Sequence, residues 1–209
     1  MEIIPNFAVL EGGDGSGTTT QLSMLSKRLN DLRTPGIFIT FEPTDRQIGK
    51  LIRCALKNEI KILPESLAFL FAADRSEHLY AKDGIMEHVN NGELVVCDRY
   101  MLSSLVYQGI ECGDELPQRL NSQFGIPELT LFLDIEPETA IERMNNRENL
   151  EIYENINFQK KVREKYKSLI DVYTSRGAKI EVIDAGRSPQ EVSDQIWSKI
   201  TSMPIFKVQ

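Results

Sequence analysis

The chain of 209 residues is short of several things: it has three cysteines, two histidines and one tryptophan. Cys54, Cys97 and Cys112 are widely spaced, odd in number and form no C-x-x-C pair. That argues against a disulfide framework, and with so little histidine against a zinc site. The plain reading is reduced thiols in a cytoplasmic protein. Basic charge is also scarce. Lys and Arg number 24 against 31 Asp and Glu, a net charge of −7. A nucleic-acid-binding surface would need a basic patch, so none is expected. Small anionic ligands remain open, because a few local Arg residues can hold a phosphate. No apolar run approaches membrane-spanning length, and "MEIIPNF" lacks a basic, apolar leader. Neither a membrane span nor a secretory signal is expected.

What is present alternates. Phe7-Ala8-Val9-Leu10 is a continuous apolar run ended by glycines, as in a strand buried on both faces. Further strands are expected at 36–41, 94–97, 129–135 and 179–183. Helical spacing occupies the stretches between: 18–32, 48–56, 64–88, 137–144, 158–173 and 188–200, with another helix beginning near Met101. Strands alternating with helices predict an α/β fold, a five-stranded parallel sheet with helices on both faces and right-handed crossovers. One domain over residues 1–209 is expected, with a polar, Asn- and Glu-rich lid at about 145–155. Ligands of such sheets bind beyond the carboxyl ends of the strands. The glycine loop, Glu42-Pro43 and Asp98-Arg99 all fall there.

The segment "EGGDGSGTTTQ" carries the chemistry. Gly12-x-x-x-x-Gly17-Thr18-Thr19 matches G-x-x-x-x-G-K-[ST] except at the lysine. Gly12, Gly13, Gly15, Ser16 and Gly17 would turn backbone N–H groups around a phosphate, and Thr18, Thr19 and Thr20 open the helix whose dipole favours it. Thr19 stands where a hydroxyl ligates Mg²⁺ in such loops. Thr18 is neutral and several bonds too short to replace the lysine.

At this point the chain resembles thymidylate kinases, P-loop nucleoside monophosphate kinases that phosphorylate dTMP with ATP. The likeness runs through "FAVLEGGDGSGTTTQ", "FEPTD", "IGKLIR", "LFAADRSEH", "VVCDRYMLSSLVYQG", "PELTLFLDIEPETAIERM" and "VIDAGRSPQEV". It implies roles. Phe71 would stack on the base and Arg75 would hydrogen-bond it. Arg99 and Arg53 would hold the acceptor phosphate. Asp98 would lie near Mg²⁺ and Asp14 near the deoxyribose or the acceptor phosphate. Ser104, Tyr107 and Gln108 would line the base and sugar pocket, with Glu42 and Pro43 as a wall. Arg143 and Asp184-Ala185 would flank the adenine. Each has a blander reading. Phe71 could be core, Arg75 could pair with Asp74 or Glu77, and Asp98 could cap the helix at Met101. The resemblance also implies a homodimer. A stripe of Leu67, Leu70 and Phe71 would serve that contact or only the core. His78 and His88 read as surface or packing residues, and Trp197 as packing against the sheet.

The chain departs from the family where charge is needed. The loop carries Asp14-Gly15-Ser16 with no Arg. The lid "NNRENLEIYEN" offers only Arg147, with Ile152 where a second Arg often stands. Three readings follow: an active dTMP kinase in which Arg147, Mg²⁺ and backbone N–H groups carry the charge, a kinase of altered preference, or a non-catalytic nucleotide-binding paralogue.

Overall fold

A computed structural model describes residues 2–30, 36–144 and 156–207. Its elements are β1 (Ile3–Gly12), α1 (Thr18–Asn30), β2 (Ile37–Phe41), α2 (Gln47–Leu56), α3 (Pro64–Tyr80), α4 (Ile85–Asn90), β3 (Leu94–Asp98), α5 (Met101–Cys112), α6 (Glu115–Asn121), β4 (Ile126–Asp134), α7 (Pro137–Met144), α8 (Ile156–Ser175), β5 (Ile180–Asp184) and α9 (Pro189–Ile200). The strands form one sheet in the order β2-β3-β1-β4-β5. Every pairing is parallel. The expected α/β architecture is therefore present.

The period-2 pattern of the central strands builds two cores. Phe7, Val9, Val95, Cys97 and Phe132 face one layer, with α2, α3, α4, α5 and α8 supplying most of its other residues. Ala8, Leu10, Leu94, Val96, Leu131 and Leu133 face the other, covered by α1, α7 and α9. Both faces of β1 and β3 are thus apolar, which is why these strands read as continuous runs. Trp197 packs partly buried against the second core, with the Arg28 guanidinium 4.5 Å from its ring centroid.

Two expectations need correction. The helix expected over 64–88 is two helices. The chain leaves α3 after Tyr80, Asp83 takes a positive φ of 58°, and Gly84 starts α4. A Cβ on Gly84 would lie 2.6 Å from the Ala81 carbonyl oxygen, so glycine is what permits the tight reversal. The short helix α6 was not expected at all. Of the Leu67-Leu70-Phe71 stripe, Leu67 is buried, and Leu70 and Phe71 pack half-buried against the first core. His78 is buried and hydrogen-bonded rather than at the surface. The lid segment and Arg147 lie outside the described residues.

Candidate active site

β1 delivers the glycine loop from a dry strand. Gly15 and Gly17 have φ of 79° and 92°, the left-handed region that L side chains rarely adopt. A Cβ on Gly15 would also meet the Ala140 carbonyl oxygen at 2.5 Å. The Ser16 N–H donates to the Gly13 carbonyl at 3.2 Å, and α1 starts at Thr18. Thr18 is buried. Thr19 is exposed, and its hydroxyl donates to Asp98 Oδ2 at 2.8 Å. The other Asp98 oxygen, Oδ1, is buried without a hydrogen-bond partner.

The end of β3 brings Arg99 to the loop. Its φ is 66°, a conformation costing a non-glycine residue roughly 1–2 kcal/mol. The Arg99 N–H donates to the Leu10 carbonyl at 2.8 Å. Its guanidinium donates to the Gly12 carbonyl at 2.9 Å and to Asp14 Oδ1 at 2.7 Å. Asp14 Oδ2 accepts from Gln159 on α8 at 3.3 Å. The Tyr107 ring lies beneath the guanidinium, 5.5 Å away. Burial, and then the neighbouring Asp14 charge, raise the Tyr107 phenol far above its usual range, so it stays neutral.

At the end of β2, the Glu42–Pro43 peptide is cis. Glu42 anchors a buried polar chain. Arg75 donates to Glu42 Oε2 through Nε at 3.0 Å and Nη2 at 2.7 Å, and through Nη1 to Asn121 Oδ1. His78 Nδ1 lies 3.0 Å from Glu42 Oε1, and Thr40 Oγ1 closes the chain 2.6 Å from His78 Nε2. Burial alone would raise the Glu42 carboxyl, but Arg75 and His78 outweigh it and hold the group below its usual range. Arg75 therefore pairs with neither Asp74 nor Glu77. Asp74 accepts instead from the Thr44 N–H and hydroxyl at 2.7 and 2.6 Å. Arg53, from α2, donates to the Pro43 carbonyl at 2.5 Å and to Asp45 at 3.0 Å.

These strand ends enclose a cavity of about 460 Å³, a common size for a small-molecule site. All ten residues expected around the acceptor line it: Asp14, Glu42, Pro43, Arg53, Phe71, Arg75, Arg99, Ser104, Tyr107 and Gln108. Thr19 and Asp98 line it too. Gln108 is 1 % exposed, and neither its amide oxygen nor its nitrogen has a hydrogen-bond partner. A buried amide left unsatisfied is costly unless a ligand completes it.

The expected adenine side is a separate region. Asp184, at the end of β5, lines a second cavity of about 390 Å³ with Thr139 and Gly186. Asp184 accepts from the Gly186 N–H at 3.0 Å and from Arg187 at 3.3 Å. Ala185 is buried, its N–H donating to the Asp134 carbonyl at 2.8 Å. Arg143 sits in the last turn of α7, half-buried. The guanidinium of Arg163 grips Asp134 at 2.6 and 3.1 Å and Glu136 at 2.5 Å, tying α8 to the end of β4.

The reading of the sequence missed Glu11, Asn121, Ser103 and Tyr166. Asp98 does not cap α5; Glu11 does, accepting from the Tyr100 and Ser103 N–H groups at 3.1 and 3.2 Å. One signal for Glu11 was available. An acid ending an apolar strand is buried and must find donors.

A family model described as thymidylate kinase matches residues 10–196. Relatives agree along nearly the whole chain. A protein named "Probable thymidylate kinase" from Methanococcus aeolicus is 38% identical over 205 residues, covering 96% of this chain and 98% of its own. One of the same name from Pyrobaculum aerophilum is also 38% identical over 205 residues, covering 96% and 99%. Another, from Methanococcus maripaludis, is 39% identical over 209 residues, covering 97% and 96%. With these sequences matching over nearly the whole chain and a glycine loop beside a cavity at the strand ends, the chain belongs to the thymidylate kinase family.

Proposed function

We propose that the chain transfers the γ-phosphoryl group of ATP to dTMP, forming dTDP, and does so without a loop lysine. One observation carries this reading. The Arg99 guanidinium lines the acceptor cavity while bonded to the Gly12 carbonyl and Asp14 of the loop. A permanent, planar cation thus stands where acceptor phosphate and donor loop meet. Phosphoryl transfer asks mainly for positioning and charge stabilisation, so a cation at the junction supplies part of what lysine would.

The acceptor roles are those that the resemblance implies, and the lining of the cavity supports them. Phe71 stacks on the thymine, and Arg75 and the unpartnered Gln108 amide read its edge beside Ser104. Tyr107 and Asp14 meet the deoxyribose. Arg53 and Arg99 hold the phosphate against the wall made by Glu42 and Pro43. On the donor side, the loop N–H groups cradle the phosphates, and Arg143 with Asp184-Ala185 flanks the adenine. Arg147 of the lid adds a second cation over the transferred group.

The residues fit Mg²⁺. The Thr19 hydroxyl and Asp98 carboxylate are hard oxygen donors, and Asp98 Oδ1 is a buried acceptor without a partner. Among the described residues no cluster of three or more metal-binding side chains occurs, which suits an ion that keeps waters and phosphate oxygens as its other ligands. When bound, it would neutralise charge on the transferring phosphoryl.

Among the described residues no helix is long and apolar enough to cross a membrane. We read the protein as cytoplasmic and homodimeric. The outer face of α3 exposes Phe69 and Tyr80, and Leu63 beside it is 68% exposed, an apolar surface that a second copy would cover. Sedimentation at micromolar concentration tests the dimer.

The experiment for the activity is ADP release from ATP·Mg²⁺ with dTMP, against dUMP, dGMP and CMP. Stimulation by dTMP above the others is expected. Binding of dTMP without turnover would favour the non-catalytic reading.

A further inference from the structure

We propose that Glu11 is a positioning residue that aligns the donor loop with the acceptor-binding helix α5, an inference that rests on the reading of the site given above. Glu11 is 1% exposed and does not line the large cavity, so it reaches substrate only through others. Its carboxylate gathers donors from two helices. Oε1 accepts from the Tyr100 and Ser103 N–H groups at 3.1 and 3.2 Å. Oε2 accepts from the Ser103 hydroxyl at 2.6 Å and the Tyr166 hydroxyl at 3.0 Å.

The first two bonds cap α5. Its N-cap residue, Tyr100, makes no side-chain cap, so the helix start would leave N–H groups unsatisfied in a buried place. A carboxylate there satisfies them and meets the positive end of the helix dipole. The Tyr166 bond joins α8, the helix that follows the lid segment, to the other oxygen of the same carboxylate. Tyr166 also lies 3.3 Å from the Gly12 carbonyl, the loop atom that Arg99 holds.

Burying a carboxylate is unfavourable. Burial pushes the Glu11 carboxyl above its usual range, although the Ser103 and Tyr166 hydroxyls and the Arg99 charge pull the other way. An apolar strand end would be simpler for folding alone. What the acid achieves is a fixed distance between two half-sites. One residue beyond it begins the loop that takes the donor. The helix it caps follows Arg99 and carries Ser104, Tyr107 and Gln108 for the acceptor. Each half-site can bind its own nucleotide without Glu11. Only their mutual alignment depends on it, and a misplacement of about 1 Å can cost about 10²-fold in rate.

Two variants test this. Glu11→Gln keeps the volume and one acceptor for the helix N–H groups but turns an amide donor toward the hydroxyls. Tyr166→Phe removes the α8 hydroxyl that bonds Glu11 and that lies 2.7 Å from the Ser103 hydroxyl and 3.3 Å from the Gly12 carbonyl. For each, kcat, the calorimetric Kd for dTMP alone and the Kd for a non-hydrolysable ATP analogue alone would be measured. The expected result for Glu11→Gln is a fall of about tenfold or more in kcat, with both Kd values within about twofold of wild type. Tyr166→Phe should show a smaller fall of the same kind. Unchanged kcat in the variants that fold overturns the proposal. So does a kcat loss matched by equal losses of affinity, which would mark a merely structural role. Wild-type protein that neither binds nor turns over dTMP would overturn the reading of the site, and this inference with it.

Discussion

On the acceptor wall, Arg75 is 1% exposed and its Nε, Nη1 and Nη2 are all engaged by Glu42 and Asn121. The rings of Tyr100 and Phe124 flank it at 4.9 and 5.7 Å. On the loop side, a neutral Thr18 stands where a lysine is usual, and the guanidinium bonded to the loop, that of Arg99, is 22% exposed. Asp98 there keeps one oxygen without a partner. One wall is charge-balanced by protein before any ligand arrives. The other pairs Arg99 with Asp14 at the cavity edge and leaves one Asp98 oxygen unpartnered. Damage to the first should therefore appear as lost stability and lost acceptor binding. Damage to the second should appear in turnover.

The sharpest break of the acceptor wall is Glu42→Ala. It strands a buried guanidinium, and removing one partner of such a pair typically costs about 3–5 kcal/mol. Urea unfolding should show a loss of that order. On the loop side, Arg99→Ala should leave the fold nearly unchanged and lower kcat/KM by roughly 10²–10³, the usual effect of deleting a preorganised charge donor. Steady-state kinetics with varied dTMP reads this directly. Adding charge is the converse. Thr18→Lys should raise kcat by about tenfold or more with little change in dTMP affinity, a modest share of what such a donor is worth. No gain would mean that another group already fills that space.

Two smaller effects sharpen the acceptor side. Gln108→Leu should weaken dTMP by about 2- to 10-fold in calorimetry, one net hydrogen bond. The pH dependence of stability should carry Glu42's signature. Its folded pKa is depressed below the ordinary 4.5. The stability it contributes is therefore fully present above 4.5 and is lost as pH falls through the lower folded value. Thermal unfolding of wild type and Glu42→Gln across the acid range should show a shallower acid limb in the variant.

The sequence made legible what local pattern controls. Apolar runs at 7–10, 36–41 and 94–97 marked strands, and the residues that follow them met around one cavity, as a parallel sheet requires. Phe71, Arg75, Tyr107 and Gln108 could be set on that cavity through resemblance, since helical spacing by itself did not tell Phe71 from core. What stayed hidden were partners distant in the chain. Glu11 and Tyr166 are 155 residues apart, and Arg75 and Asn121 are 46 apart. No periodicity announces such pairs. The reversal at Gly84 was obscured because helical spacing resumes immediately after it. Glycine in a helical pattern is usually tolerated, whereas here it starts a new helix.

The central claim is that this site transfers phosphate without a loop lysine. The most direct test is dTMP-stimulated ADP release by the purified chain with ATP·Mg²⁺, run beside dUMP, dGMP and CMP. The account predicts clear stimulation by dTMP above the other acceptors, lost in Arg99→Ala. No stimulation by dTMP, with dTMP still bound in calorimetry, would contradict it.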